Sequence, residues 1–519
     1  MRTLCSLLII LLSTIITSRA ADALPASWTL LPVYGDISSI AETKDKVYFV
    51  SGGSLYHYDK EYGETRYYVP GTDLSDHKAT ALYADPFRNR VVVVYDNSNI
   101  DILYSDGRRV NLGDIKNASI DEEKGITDIA FDPKQDRIFV ATQFGLVKFS
   151  PERAEVIESG VYHHPVTSLM VTPDHIYLAT PGNSSEATTF YSLPIDKSIN
   201  NFKNFSQTGS LWGTPDHWYP LDESATRFGG LVYGNQLRAA IASSEGALSF
   251  QRRDPVGSQL VPTYRDGLLL IGDDGLVYSI SPDASVTTTV NTSVAEFSGQ
   301  KITALGGLSS VWMADRSGIG RYSISPEGNV KVLSDRYKPS PATSFKEICS
   351  LFPTADGMGL IAMNLGATQT HPVGKGANSD TRMGCDIITP GSDEIVTIMP
   401  ENVEVVTSPG RDAVRKGGAY IYAPSFAAQS PFDPATFFIG TTQEGIYVVR
   451  DNEVVAKWDA DAGIHKYINY QFEVPYGCFD SEGNLWIAVF NADTSVPTIR
   501  ILPAAKVKGD PAAVKASDW

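Results

Sequence analysis

The sequence predicts an all-β protein, built as an N-terminal seven-bladed β-propeller followed by part of a second β-propeller. Short apolar strands recur along the chain at intervals of roughly 40–50 residues, which is the repeat length of propeller blades. Turn residues separate these strands. The chain of 519 residues contains 43 Gly, 25 Tyr and 21 Phe. Tyr and Phe favour pleated strands and Gly favours tight turns, so the composition agrees with the repeat.

The clearest single repeat is the hairpin at residues 138–152. Residues 138–141 are all apolar, as expected for a strand that is buried on both faces. A turn containing Gly145 follows, and residues 146–150 then alternate as a strand with two different faces. Pro151 ends the hairpin, because proline cannot donate a hydrogen bond to a strand ladder.

Core strands of this kind define the first ring. Their first apolar residues are Val47, Val91, Ile138, Ile176, Ala239, Leu268 and Val311. A second strand precedes most of them, at residues 37–40, 79–82, 126–129, 166–169 and 302–305. The step from Ile176 to Ala239 is the longest, and it predicts an insertion within residues 182–228.

The repeat divides the chain near residue 340. Residues 21–340 are predicted to form the first propeller. Further core strands follow at residues 360–363, 437–440 and 485–488. Three or four blades fit into residues 341–519, which is too few to close a ring. This part is therefore predicted to be a partial second propeller, as in a chain that is a piece of a longer protein.

Residues 1–20 have the pattern of a secretory signal peptide. Arg2 supplies the positive charge, residues 7–16 the apolar run, and residues 18–20 a small-x-small cleavage site. A signal anchor is the competing interpretation, but the run is shorter than the ~20 residues that span a bilayer. No later segment is apolar enough for a membrane helix. We expect an exported protein, in the periplasm or at the cell surface, with no membrane span of its own.

Charge and cysteine content exclude several classes of function. The formal net charge of −17 argues against a nucleic-acid surface, which needs clustered Lys and Arg. Cys5 lies in the signal, which leaves Cys349, Cys385 and Cys478 in the mature chain. No Cys-x-x-Cys motif for a metal or redox site is present. Free buried thiols, or one disulfide and one thiol, are the alternatives.

The sequence contains no recognisable catalytic motif. A nucleophile elbow, a P-loop, HExxH and a dinucleotide-binding glycine pattern are all missing. His163 and His164 are adjacent, so on an extended chain they point to opposite sides and do not share one metal ion. Residues 96–101 lack the spacing of a calcium loop and are predicted to form a turn. We therefore expect no enzyme activity, no metal and no cofactor.

Candidate glycan-binding residues lie in and after the predicted insertion. Trp212, Trp218 and Tyr219 would stack on sugar rings, and long loops on rigid scaffolds often carry binding. Arg252 and Arg253, near a blade end, would meet an anionic glycan. The alternative is that the aromatic side chains pack against the propeller as a small additional core.

Several segments resemble the PorZ-type proteins of the type IX secretion system of Bacteroidota. They are residues 34–41, 55–59, 95–102 and 142–146, and the resemblance is strongest over residues 30–180. It implies two β-propellers and a C-terminal β-sandwich sorting domain. It also implies outer-membrane secretion and attachment proteins and a sortase-like protease as partners, with binding of anionic lipopolysaccharide. This chain departs from the family in having no room for a complete second propeller and a sorting domain.

Two other classes of function remain as alternatives. Residues 483–486, Gly-Asn-Leu-Trp, resemble a blade signature of the sensor propellers of hybrid two-component regulators. A propeller hydrolase or lyase is the second alternative. It would need carboxylate, Asn or His side chains from different blades to converge on a metal at one end of the central channel.

Overall fold

The computed structural model describes residues 31–519, except residues 182–186, 214, 233–234, 264–266, 273–275, 292–299, 326, 340–341, 345–347, 365–383, 390–391, 393, 399–404, 407–413, 416–423, 442–444, 465–473 and 490–497. The predicted signal peptide therefore lies outside the described residues. The all-β fold class is confirmed, because nearly every element is an antiparallel strand. Among the described residues, two short α-helices, α1 (Asp114–Asn117) and α2 (Ala504–Val507), interrupt the strands.

Four four-stranded sheets open the chain, each with its strands in sequence order. Sheet 1 contains β1 (Ile37–Glu42), β2 (Lys46–Ser51), β3 (Ser54–Asp59) and β4 (Thr65–Tyr67). Sheet 2 contains β5 (Ala79–Ala84), β6 (Arg90–Tyr95), β7 (Ile100–Tyr104) and β8 (Arg109–Leu112). Sheet 3 contains β9 (Ile126–Phe131), β10 (Ile138–Thr142), β11 (Gly145–Ser150) and β12 (Glu155–Val161). Sheet 4 contains β13 (Ser168–Val171), β14 (His175–Thr180), β15 (Thr188–Pro194) and β16 (Ser206–Leu211).

A seven-stranded sheet follows, with strands β17 (Tyr219–Pro220), β18 (Arg227–Val232), β19 (Gln236–Ala242), β20 (Leu248–Pro262), β21 (Leu268–Gly272), β22 (Leu276–Ile280) and β23 (Val286–Asn291). Residues 248–256 of β20 pair with β19, and residues 257–262 pair with β21. We call the two halves sheet 5 and sheet 6. Sheet 7 contains β24 (Lys301–Thr303), β25 (Val311–Asp315), β26 (Gly318–Ile324) and β27 (Val330–Val332). The predicted number of blades stays a prediction, because β20 joins two units in one continuous sheet.

Hydrophobic clusters pack sheets 1 to 7 face to face in a closed circle. Each sheet shares one cluster with the sheet before it and another with the sheet after it. The circle closes where Phe49 and Tyr58 of sheet 1 pack against Trp312 and Ile319 of sheet 7. Because each sheet is covered on both faces, burial of large side chains, at about 1.5–3 kcal/mol each, stabilises the whole ring.

The first strands of these sheets line the axis of the ring. Strand β1 contacts both β5 and β24, and β9 contacts β13, so first strands of neighbouring sheets touch one another. The outermost strands, such as β4 and β27, contain no buried residue. A segment that contacts first strands of sheets that are not neighbours must therefore lie at the axis.

The predicted insertion within residues 182–228 is wrong. The described residues of this range contain β15, β16, β17 and the start of β18. The sequence pattern placed the core strand of sheet 5 at Ala239, but that residue lies on the third strand, β19. The second strand is β18, whose central Gly229 and Gly230 break the apolar run by which the other core strands are detected.

A second array of strands follows the ring. Sheet 8 contains β28 (Ile348–Pro353), β29 (Leu360–Asn364), β30 (Cys385–Ile388) and β31 (Ile395–Ile398). After the short pair β32 (Val405–Val406) and β33 (Val414–Arg415), sheet 9 contains β34 (Pro424–Gln429), β35 (Thr436–Thr441), β36 (Ile446–Arg450) and β37 (Glu453–Trp458). Sheet 10 contains β38 (Tyr476–Phe479), β39 (Leu485–Ala488) and β40 (Ile499–Leu502). Clusters join sheet 8 to sheet 9 and sheet 9 to sheet 10. The domain limits at residues 20 and 340 stay predictions.

Candidate functional site at the axis of the first propeller

The predicted aromatic glycan-binding residues do not share one environment. Trp212, directly after β16, is 65% exposed. Trp218 is 2% exposed and packs with Phe190 and Phe250 in the core between sheets 4 and 5. Tyr219 begins β17 and is half-buried. The expectation that Trp218 offers a ring face to a sugar is therefore wrong, because the first propeller buries that face.

The two predicted arginines point in different directions. Arg252 is exposed on β20, directly opposite Arg238 of β19. Arg253 donates its Nε to the main-chain oxygen of Ala284 at 2.8 Å, which turns it towards sheet 6. Gly230, Arg238 and Arg252 lie directly opposite one another on β18, β19 and β20, so they share one face of sheet 5. A side chain added to Gly230 would meet Trp218 on that face. Of the two predicted arginines, Arg252 therefore lies on the same face of sheet 5 as the segment that follows Trp212.

A buried carboxylate at the axis organises this segment. Asp128 of β9 is completely buried. Its Oδ1 accepts hydrogen bonds from the main-chain N–H of Ile129 at 2.8 Å and lies 2.6 Å from Nδ1 of His217. Its Oδ2 accepts the N–H of Leu169 in sheet 4 at 2.8 Å. One side chain thus links three parts of the ring.

Two tyrosines pack against the ring of His217. Tyr83 of β5 packs edge-on against it at a centroid distance of 5.3 Å, and Tyr219 does so at 4.6 Å. The side chain of His217 is 20% exposed, whereas that of Asp128 is inaccessible. The Asp128 contact through Nδ1 fixes the orientation of the imidazole, so Nε2 is the ring nitrogen turned away from the carboxylate.

Burial sets the protonation of the groups in this cluster. It raises the pKa of the Asp128 carboxyl, and His217 with the two main-chain N–H donors partly offsets this effect. Burial and the nearby Asp128 hold the pKa of Tyr83 well above its usual range and raise the pKa of Tyr219 to about 12. Both tyrosines therefore stay neutral, and the cluster is suited to hydrogen bonding and packing rather than to nucleophilic attack.

Sequence reasoning missed Asp128, although the repeat contained a signal. The first strands share a pattern whose third residue is Ser39, Ala81, Ser168 or Ala304 in other sheets. Sheet 3 alone among these five has a charged residue at this position. A carboxylate among small residues in an otherwise apolar inner strand indicates a specific partner, but the partner, His217, could not be identified from spacing.

The remaining sequence candidates have local roles. His163 lies 2.5 Å from Glu122 at the surface, and His164 packs edge-on against Phe202. Residues 96–99 form the turn between β6 and β7. Within the described ranges, no group of three or more His, Cys, Asp or Glu could hold a metal ion. Of the thiols described there, Cys385 is buried and Cys478 exposed, and both are free.

Comparison with known proteins finds one family whose sequence model matches part of the first propeller. The sequence model of the family "TSS9, PorZ, N-terminal beta-propeller domain" matches residues 47–205. No curated protein matches the chain. None of the described helices is long and apolar enough to cross a membrane.

Among solved structures, PorZ of Porphyromonas gingivalis, titled an essential bacterial surface component of the type IX secretion system, matches with a TM-score of 0.69 and 16% identity. The match covers 93% of this chain but 59% of PorZ. Hsv2 of Kluyveromyces lactis matches at 10% identity over 58% of this chain and 99% of its own, with a TM-score of 0.39. The extracellular domain of a hybrid two-component system of B. thetaiotaomicron matches at 12% identity over 91% and 61%, with a TM-score of 0.31. The resemblance to the PorZ-type proteins is thus confirmed: residues 47–205 match the sequence model of their N-terminal β-propeller domain, and the chain shares the fold of PorZ over most of its length.

Proposed function

We propose that this protein is an exported, non-catalytic β-propeller scaffold of a type IX secretion system, which takes part in anchoring cargo at the cell surface. The observation that carries the proposal is the PorZ family match at residues 47–205. That range contains sheets 2 and 3, most of sheet 1 and the first three strands of sheet 4, and it includes Asp128 of the axial cluster. Its partners would be secretion and attachment proteins of the outer membrane.

Deletion of the gene in its own organism tests this role. We expect type IX cargo proteins to be lost from the cell surface and to appear in the medium or periplasm, and the full gene supplied in trans should restore them. If the deletion strain retains its cargo at the surface at the level of the parent, the scaffold role is wrong.

Binding of anionic lipopolysaccharide is the finer part of the proposal. Trp212 would supply an exposed ring for stacking, and the exposed Arg252 of sheet 5 would supply a cation. The chain carries a net charge of −17, so long-range attraction does not assist such a ligand. Screening limits the repulsion to about 10 Å, and close contacts decide the affinity.

A matched pair of aromatic substitutions tests this contact. With purified lipopolysaccharide from the same organism, Trp212→Ala should weaken binding by about fivefold or more, as for an aromatic anchor worth over 1 kcal/mol. Tyr62 is 73% exposed in the turn between β3 and β4, far from Trp212 in the sequence, so Tyr62→Ala serves as the control and should leave binding unchanged. Equal binding by both variants would contradict the Trp212 contact while leaving the scaffold role to the deletion experiment.

A further inference from the structure

The segment between sheets 4 and 5 contacts parts of the ring that are not its neighbours. His217 lies against Asp128 of sheet 3 and Tyr83 of sheet 2, although the segment belongs between sheets 4 and 5. Sheets 2 and 5 share no packed face, so their residues meet only where the first strands converge. Residues 215–219 therefore cross the axis of the first propeller.

We propose that residues 215–219 form a plug that closes the axis of the first propeller, and that the Asp128–His217 pair is its latch. The buried carboxylate holds His217 on the far side of the axis, and Tyr83 and Tyr219 enclose the imidazole ring. Through this pair the position of the plug is coupled to sheets 2 and 3 rather than to the strand ladder of its own sheet.

The pairing of the first strand of sheet 5 supports the plug. Strand β17 has two paired residues, Tyr219 and Pro220, whereas β9 has five residues paired with β10. The segment before Tyr219 has left the ladder. Its position is instead determined by packing, because an added Cβ on Gly230 would lie 2.9 Å from both Pro215 and Trp218.

A second contact across the ring is independent of the latch. Phe87, in the turn after β5 of sheet 2, packs against the core between sheets 2 and 3 and also against the core between sheets 4 and 5. The latter core contains Trp218 of the plug. Tyr83 and Phe87 thus reach across the ring, Tyr83 to the ring of His217 and Phe87 to the core that contains Trp218.

The plug has two consequences for the molecule. It buries Trp218, and it fixes the end of the loop that exposes Trp212. It also fills the place where ligands enter propellers along the axis, so partners of the first ring would contact its rim. Release of the latch would uncover Trp218 without breaking any of the seven sheets.

Hydroxyl-radical footprinting with mass spectrometry tests the plug, because it reports the accessibility of single side chains. In the native protein we expect Trp212 to be oxidised and Trp218 to be protected. In His217→Ala, oxidation of Trp218 should become at least tenfold faster, while that of Trp212 is unchanged. His163→Ala removes a surface histidine that also faces a carboxylate, so it is the matched control and should leave Trp218 protected.

A second variant covers the case in which His217→Ala fails to fold. Asp128→Ser introduces the residue that sheets 1 and 4 have at this position, Ser39 and Ser168. The serine hydroxyl can accept the N–H of Leu169 but cannot also hold His217. We expect the same exposure of Trp218 with circular dichroism unchanged. If Trp218 stays protected in this variant and in any folded His217→Ala protein, the latch is wrong, whatever the outcome of the lipopolysaccharide experiment.

Discussion

Glu42 is predicted to be the side chain whose loss most directly opens the first ring. Its carboxylate is almost fully buried at the end of β1. Oε2 accepts the N–H of Leu305 at 2.8 Å and the hydroxyl of Thr303 at 3.1 Å, both from sheet 7. Oε1 accepts from Nζ of Lys60 at 2.6 Å. Glu42 therefore joins the first sheet of the ring to the last.

Glu42→Ala would leave three donors without their acceptor. Removing one partner of a buried ion pair costs about 3–5 kcal/mol. The side chain of Lys60 is 21% exposed and can turn to water, so we expect a value of about 3 kcal/mol, near the lower bound. At roughly 2 °C per kcal/mol for a large domain, the thermal midpoint of the ring should fall by about 6 °C.

Differential scanning calorimetry and hydrogen exchange measure the effect together. The amide of Leu305 should exchange faster in Glu42→Ala, and Glu42→Gln should show a smaller loss because the amide oxygen still accepts one hydrogen bond. The control is Glu155→Ala, which removes a surface pair with Arg153 at 3.1 Å and should cost no more than about 1 kcal/mol. A shift in Glu42→Ala no larger than this control would refute the role of Glu42 in closure.

Three further predictions concern single buried positions. Burial lowers the pKa of His57 from 6.5 to about 4, so the unfolded chain binds this proton more tightly than the folded protein. The contribution of neutral His57 to the free energy of unfolding should be complete above pH 6.5 and fall by roughly 3 kcal/mol towards pH 4. Urea unfolding at several pH values measures this slope, which His57→Phe should remove. Burial raises the pKa of Cys385 to about 12, so maleimide at pH 7 should label exposed Cys478 and not Cys385, as peptide mass spectrometry would show. Gly145 has φ of 151°, and an added Cβ would lie 2.0 Å from a main-chain oxygen of β12, so Gly145→Ala should lower the free energy of unfolding by more than about 1 kcal/mol, as measured by thermal unfolding. Gly71 has φ of 82° with open space around it, so the control Gly71→Ala measures the cost of backbone strain alone.

The hairpin at residues 138–152 shows how much the strand pattern could predict. Strand β10 is buried throughout, as its four apolar residues indicate. Strand β11 is also buried throughout, whereas its alternating sequence predicts one solvent-facing side. Lys148 is 6% exposed, with Nζ 3.9 Å from Glu158 and 5.9 Å from the ring centroid of Phe139. A blade is covered on both faces, so a long amphipathic side chain such as that of Lys148 can be enclosed there. Alternation of apolar and polar residues therefore overestimates the exposure of a strand in the ring.

The candidate site was less predictable than the fold for a physical reason. Strand repeats are local, and propensity and turn residues specify them over a few positions. The contact between Asp128 and His217 joins residues 89 apart in sequence, so it depends on the packing of several sheets and not on a local pattern. Composition drew attention to the aromatic residues after β16, but it could not distinguish exposed Trp212 from Trp218, which lies six residues later in the core.

Two of the buried carboxylates of the ring, Glu42 and Asp128, solve one structural problem in related ways. A first strand has no neighbouring strand on its axial side, so some of its N–H groups need side-chain acceptors. The N–H groups of Leu82, Leu169 and Leu305 occupy the same position of the repeat, and they donate to Ser39, Asp128 and Glu42.

Ser39 has one oxygen, which the N–H of Leu82 occupies. A carboxylate has two, so after satisfying the same kind of N–H it can bind a second group. Glu42 uses this oxygen for Lys60, and Asp128 uses it for His217. A carboxylate in place of the hydroxyl therefore still accepts the required N–H and also binds a second side chain. In this way Glu42 joins sheet 1 to sheet 7, and Asp128 holds the plug.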